Sequence, residues 1–329
     1  MNYRKLGATD IDVSVVAMGC WAIAGDWVWG QQDENEAIST LRAALDAGVN
    51  FFDTAEAYGD GYSETLLGKA LAGRRHEAVI ATKVSDAHLA ADALRQACER
   101  SLRRLNTDYI DLYQIHWPNW SIPLAETMGA LESLKQQGKI RAMGVCNFGP
   151  VDLSGLLDLG RCETNQLPYS LLWRAVEFEI GQRCIEHGIG VLCYSPLAQG
   201  LLTGKFASAD DVPETRARTR HFSKSRRLTR HGEDGCEEEV FVAIAAIRAI
   251  CEGLGAPMAE VALAWLLRQP GVTAVLAGAR TPGQLRENVR AAARELSPDT
   301  VDALSQATEA LKRRLGPNLD PYQAVSRMR

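Results

Sequence analysis

VNFFDTAEAYG, residues 49–59, carries an apolar run into an acid, Asp53, and presents a tyrosine, Tyr58, five residues later. Alone, it reads as an ordinary strand end followed by a loop. The same pattern recurs along the chain. Short apolar runs stand at 15–20 (VVAMGC), 49–53 (VNFFD), 78–83 (AVIATK), 109–116 (YIDLYQIH), 141–146 (RAMGVC), 163–167 (ETNQL), 190–195 (GVLCYS) and 273–278 (TAVLAG). Several are nearly continuous in apolar residues, as strands buried on both faces are. Amphipathic segments lie between them. DENEAISTLRAALDAG (33–48) opens on acids and closes on Gly48, and PLAETMGALESLKQQG (123–138) has Pro123 at its start and Gly138 past its end, both helix start and stop signals. Strand-plus-helix units repeated in this way predict an α/β fold, the (β/α)8 TIM barrel, as one domain over residues 1–329. A doubly wound sheet is the alternative architecture.

Three segments fall outside the repeat. YRKL and IDVSV flank GATD near the start, a small β-hairpin over residues 1–14 that caps one end of the barrel. After the seventh strand, residues 199–236 form a long loop with no apolar period and the basic run RARTRHFSKSRRLTR. A loop of that length is usually functional or mobile. Its charge either meets a phosphate or forms a solvated face. The polar tail GPNLDPYQAVSRMR (316–329) either folds back or stays disordered.

Composition narrows the function. The 329 residues carry a net charge of −5, with 46% hydrophobic and 23% charged residues, a globular balance that gives no electrostatic reason to expect nucleic acid or an anionic membrane as partner. No apolar run approaches the roughly 18 residues of a membrane span, and the start, MNYRKLGATD, lacks the apolar centre of a leader peptide. The eight cysteines form no Cys-x-x-Cys pair and the six histidines no metal-ligand spacing. Free thiols in a reducing compartment account for the cysteines, so the expectations are a cytoplasmic protein and no metal. A monomer is the working expectation for its assembly.

In such a barrel the active site forms at the carboxyl ends of the strands. Asp53 ends the second strand, Lys83 the third and His116 the fourth, with Tyr58 on the loop after the second. A phenol titrates near ~10 and is a weak acid at neutral pH. A nearby cation, Lys83, favours its phenolate. Asp53 holds that ammonium, and His116 donates a hydrogen bond to a carbonyl oxygen as charge grows there. Such a set gives a proton to an oxygen while something else attacks the carbon, and a hydride from a bound cofactor fits. The Gly-x-Gly-x-x-Gly and Walker A patterns are absent, and GLLTGKF (200–206) lacks the phosphate-loop spacing. The eighth strand instead leads into GARTPGQLRENV (278–289). There Gly278 and Gly283 allow close backbone approach, Arg280 offers a planar fork, and a helix starts near Pro282.

In FFDTAEAYGDGYSE, VIATK, SLRRLNTDYIDLYQIHWP, GKIRAMGVCNFG, NQLPYSLL, YSPLAQGLLTGKF and GARTPGQLRENV the sequence resembles the aldo-keto reductases over nearly its whole length. It is most similar to the bacterial general stress and glyoxal-reducing branch, with features of the potassium-channel β-subunits. The resemblance implies NADPH-dependent reduction of aldehydes or ketones, with Tyr58 as general acid, Asp53 and Lys83 tuning it and His116 orienting the carbonyl. It further implies that Asn147 and Gln166 hold the nicotinamide carboxamide, with Cys146 beside them, that Tyr194 stacks on the ring, and that Cys20, Trp21 and Asp53 lie beside the cofactor. Ser195, Pro196, Leu197, Gly200 and Lys205 then line the pyrophosphate. Gly278, Arg280, Gln284, Glu287 and Asn288 hold the adenosine end, with Arg280 at the 2′-phosphate, so that the cofactor is NADP(H). Trp21, Trp29, Tyr58, His116 and Trp117 form the pocket for a small-molecule carbonyl substrate, with Trp27 and Trp120 either lining it or packing elsewhere. Two positions depart from the family pattern: Cys146 replaces a common serine, which weakens that contact, and Ala277 replaces a common proline. The same residues would serve a sugar or polyol dehydrogenase working oxidatively, or a cofactor-sensing binding module of the channel-subunit kind.

Overall fold

The computed structural model describes residues 1–329. Ten strands are present: β1 Tyr3–Lys5, β2 Asp12–Ser14, β3 Val16–Gly19, β4 Phe51–Asp53, β5 Val79–Val84, β6 Ile110–Ile115, β7 Ile140–Cys146, β8 Thr164–Pro168, β9 Gly190–Tyr194 and β10 Val272–Gly278. β1 and β2 pair antiparallel. β3 to β10 pair in sequence order, all parallel, and β10 closes on β3. The fold is the (β/α)8 barrel that the alternating pattern predicts, with helices outside.

Helix boundaries follow local chemistry. Asp33 caps Glu34–Asp46 by accepting from the Glu36 amide, and Thr281 caps Pro282–Arg290 by accepting from that of Gln284, each satisfying a backbone donor the helix leaves free. The inward faces of the helices and the outer faces of the strands share one large apolar core. The barrel interior is a second, smaller one, built from Ala17, Phe51, Val79, Ala81, Leu112, Ala142, Leu192, Ala274 and Leu276.

Leu6, Ile11 and Val13 of the hairpin complete this inner core and are almost wholly buried. The hairpin therefore plugs the barrel at the amino ends of its strands. Its turn lies so close to the barrel that a Cβ on Gly7, at φ +58°, would stand 2.3 Å from the Glu163 carbonyl oxygen. Only glycine fits there.

Side chains alternate across a strand. Phe51, Ala81 and Leu112 face inward, so Asp53, Lys83 and Gln114, two residues further on, do too. The barrel thus turns polar as it approaches its carboxyl-end mouth. No single helix is long and apolar enough to cross a membrane.

The segment after β9 contains two short 3-10 turns, Ala198–Thr203 and Ala209–Asp211, and otherwise turns and bends until the helix Glu237–Gly253. Internal pairs hold it: Arg220 to Glu233 at 2.6 Å, Arg226 to Glu237 and to Asp210 at 3.0 Å, and the His221 ring to the Leu172 carbonyl at 2.8 Å. The tail folds back. The amides of Val151 and Asp152 donate to the Arg329 carbonyl, and buried Asp320 holds Arg327 at 2.7 Å.

Candidate active site

Lys83 is fully buried at the barrel mouth. Its ammonium donates to Asp53 Oδ1 at 2.7 Å, to the Thr54 carbonyl at 2.7 Å and to the Tyr58 hydroxyl at 3.2 Å. All three donors are thereby used. Asp53 Oδ2 accepts from the Gln166 side chain at 2.8 Å and from Gln114 at 3.4 Å. Burial pulls the Lys83 pKa down, but the charge of Asp53, with further help from Tyr58, Cys146 and the Asp53 hydrogen bond, outweighs it and leaves it above the usual lysine value. The group is a cation throughout the physiological range.

Tyr58 is half-buried, and its ring lies between Trp21, stacked at 6.1 Å, and His116, edge-on at 5.8 Å. Burial pushes the phenol up to about 12, and the Lys83 charge pulls against that rise. The sequence suggests a phenol eased toward release, whereas in the fold desolvation exceeds the pull of the lysine. Burial, and after it Lys83, depresses His116 to about 3, so this imidazole is neutral near pH 7. The Trp21 indole is fixed by donating to Asp26 at 2.8 Å, and Trp29 meets Trp21 edge-on at 5.5 Å.

Asp53, Tyr58 and His116 open onto a cleft of about 1160 Å³. It is lined by Cys20, Trp21, Trp29, Asp53, Tyr58, His116, Trp117, Asn147, Gln166, Tyr194, Ser195, Pro196, Leu197, Gly200, Lys205, Gly278, Arg280, Gln284, Glu287 and Asn288. Lys83 lies buried beneath them. Cys146 is buried behind the wall and does not line the cleft, and Trp120 donates to Asp152 at 2.8 Å under the folded tail, away from the pocket. Trp27 lines the rim and is largely exposed.

Several expected contacts carry protein partners. Asn147 donates to the His116 carbonyl at 2.9 Å and accepts from the Tyr194 hydroxyl at 3.0 Å. The Arg280 guanidinium donates to Gln32 Oε1 at 2.6 Å and to the carbonyls of Trp29, at 2.6 Å, and Gln31. Gln284 accepts from the Arg280 amide, and Asn288 donates to the Gly278 carbonyl. Arg280 therefore ties the tryptophan-bearing loop to the end of β10, with two of its five N–H groups uncommitted.

The backbone beside β9 is strained. Ser195, Ala198 and Gln199 have φ of +50°, +47° and +53°, values that non-glycine residues adopt at a cost of order 1–3 kcal/mol each. Gly200, at φ +101°, lets the Lys205 ammonium lie 3.3 Å from where its Cβ would be, and Arg216 lies alongside. Both cations are shifted down, first by burial, then Lys205 by Arg216 and Arg216 by Arg280. Cations gathered without a carboxylate fit a polyanion, so the cleft suits the diphosphate of a dinucleotide. Arg216, Arg218, Tyr322 and Arg327 also line it. None has a sequence signal of its own. The two arginines sit in a run in which Arg220, Lys224 and Arg226 pair with acids while Arg227 and Arg230 also line the cleft, and the tail residues reach the cleft only through the fold-back.

The chain belongs to the aldo/keto reductase family, whose model matches residues 15–309. It is 35% identical to the NADH-specific methylglyoxal reductase of Escherichia coli (strain K12), over 95% of this chain and 100% of that protein. Among solved structures it resembles the glycerol dehydrogenase of Gluconobacter oxydans, at 33% identity and TM-score 0.81, with 96% of each chain covered. It also resembles an aldo-keto reductase of Klebsiella pneumoniae in complex with NADPH, at 30% identity and TM-score 0.72, over 90% of this chain and 92% of that one.

Proposed function

We propose that this protein reduces aldehydes or ketones to alcohols with NADPH, with Tyr58 as the proton donor. The observation that carries the reading is the chain of contacts from Asp53 to Lys83 at 2.7 Å and on to the Tyr58 hydroxyl at 3.2 Å, open to the cleft on the phenol side. A phenol held near pKa 12 keeps its proton at neutral pH, and the ammonium beside it stabilises the phenolate left after transfer. Neutral His116 donates to the same carbonyl oxygen without competing as an acid. Such positioned donors each contribute about 10²–10⁴-fold. A bound nicotinamide supplies the hydride. Gln166, anchored on Asp53 through its amide nitrogen, retains its amide oxygen for a carboxamide, while Tyr194 offers a ring face and Lys205 with Arg216 receives the diphosphate.

For the 2′-phosphate we assign the two uncommitted N–H groups of Arg280. The Klebsiella neighbour's complex with NADPH supports this, and the NADH-specific relative sets the alternative. The neighbouring glycerol dehydrogenase favours a second reading, the same residues run in the direction of alcohol oxidation. The test is nicotinamide oxidation by the purified protein with short aldehydes. Turnover with NADPH is expected, and Arg280→Ala should raise the ratio of NADPH to NADH KM about tenfold or more, the size of a charge-assisted hydrogen bond. Loss in equal measure for both nucleotides removes Arg280 from phosphate reading, and no turnover on any carbonyl overturns the function.

A further inference from the structure

The basic run after β9 divides by its partners. Arg220 and Arg226 pair with acids, whereas Arg218 has no carboxylate within ion-pair distance. Its guanidinium lies 4.7 Å from the Trp27 ring centre and 5.5 Å from that of Tyr322, at the cleft. Its Nε and one terminal nitrogen are shielded from solvent and have no hydrogen-bond acceptor. A shielded donor left without an acceptor costs about 1–3 kcal/mol, and here two stand on one cation. The arrangement is the fixed half of a fork for a planar anion.

Two observations separate this point from the diphosphate cradle. After burial, Arg216 lowers the pKa of Lys205 and Arg280 that of Arg216, and Arg216 lies over Trp29. Arg218 lies instead over Trp27 and Tyr322, and Tyr322 is held by Gln199 at 2.6 Å. Arg327, which also lines the cleft, stacks 3.8 Å over Trp117 and is neutralised by Asp320. Two shielded, unpartnered N–H donors on one guanidinium match the two oxygens of a carboxylate. Tyr58 stacks on Trp21 whereas Arg218 lies over Trp27 and Tyr322, so the anion and the reacting carbonyl are not adjacent atoms of the ligand.

We propose that Arg218 binds a carboxylate carried by the substrate, and that the preferred substrates are oxo-acids whose carboxylate stands several bonds from an aldehyde or ketone. This rests on the carbonyl-reducing reading above. The reaction is unchanged: a hydride from the bound dinucleotide goes to the carbonyl carbon, the Tyr58 proton goes to its oxygen, and a hydroxy acid leaves.

The test compares 4-oxobutanoate with its methyl ester and with butanal, in wild type, Arg218→Gln and Arg218→Lys. The wild type should favour the acid by about tenfold or more in kcat/KM. Arg218→Gln should remove that preference through KM, leaving the two neutral aldehydes and NADPH affinity unchanged, and Arg218→Lys should restore part of it. Equal losses for acid and ester, or a matching loss of NADPH affinity, overturn the assignment, the second by giving Arg218 to the nucleotide. If wild type reduces none of the three, the carbonyl-reducing reading fails by itself. Calorimetric titration of the NADP-loaded protein with 4-hydroxybutanoate then decides the site: binding lost in Arg218→Gln sustains it, and no binding to wild type overturns it.

Discussion

A fully buried ammonium such as that of Lys83 persists only where its desolvation is offset, and here a carboxylate, a carbonyl and a phenol each take one of its donors. Replacing one partner of such a pair by an apolar group leaves the other charge stranded, at about 3–5 kcal/mol. Lys83→Met should therefore lower unfolding free energy by that amount in urea titrations, and turnover with it. Asp53→Asn combined with Lys83→Met should recover much of the stability but not the turnover, because the phenol no longer has a cation to face. A single variant as stable as wild type would contradict this. The identities of these residues could be read from strand ends in the sequence. The weight of burial on Tyr58 could not, because it depends on Trp21 and His116 closing around the ring from distant segments.

The eight barrel strands were legible as elements because parallel strands buried on both faces leave unbroken apolar runs, and the helices because caps such as Asp33 and Thr281 mark their starts. The segment 199–236 was legible only as a loop. What orders it is pairing between side chains with no periodic spacing, such as Arg220 with Glu233, and anchors such as His221. The His221 ring is buried, donating from Nε2 to the Leu172 carbonyl and pairing through Nδ1 with the Thr219 hydroxyl at 2.9 Å. Burial, with Arg220 and His231 assisting and the Leu172 bond opposing, lowers its pKa to about 4, against about 6.5 in an unfolded chain. Between those values the unfolded state binds more protons. The stability from keeping this ring neutral is thus complete above about pH 6.5 and is lost as pH falls toward 4. His116, lowered to about 3, adds to the same trend. His221→Gln should lose less stability than wild type between about pH 7 and pH 5, measured as the shift in urea midpoint. An equal or larger loss would contradict it.

Across the molecule, one end of the barrel is sealed by Leu6, Ile11 and Val13 and the other carries the cleft, so apolar plug and polar mouth share one set of strands. The hairpin pattern around GATD and the ionisable strand ends Asp53, Lys83 and His116 made both ends readable from the sequence. The roof was not readable. Tyr322 and Arg327 reach the cleft because the tail is pinned through Arg329 and Asp320, contacts set by tertiary folding alone. Bulk charge was equally silent on the cleft: the chain is net −5, yet Lys205, Arg216 and Arg218 line it without an ion-paired carboxylate. Tyr58→Phe tests the whole account in one comparison, with NADPH affinity measured by fluorescence titration beside single-turnover reduction of an aldehyde. Affinity should match wild type while the reduction rate falls by about 10²–10⁴; reduction at the wild-type rate would contradict the assignment of the proton to this phenol.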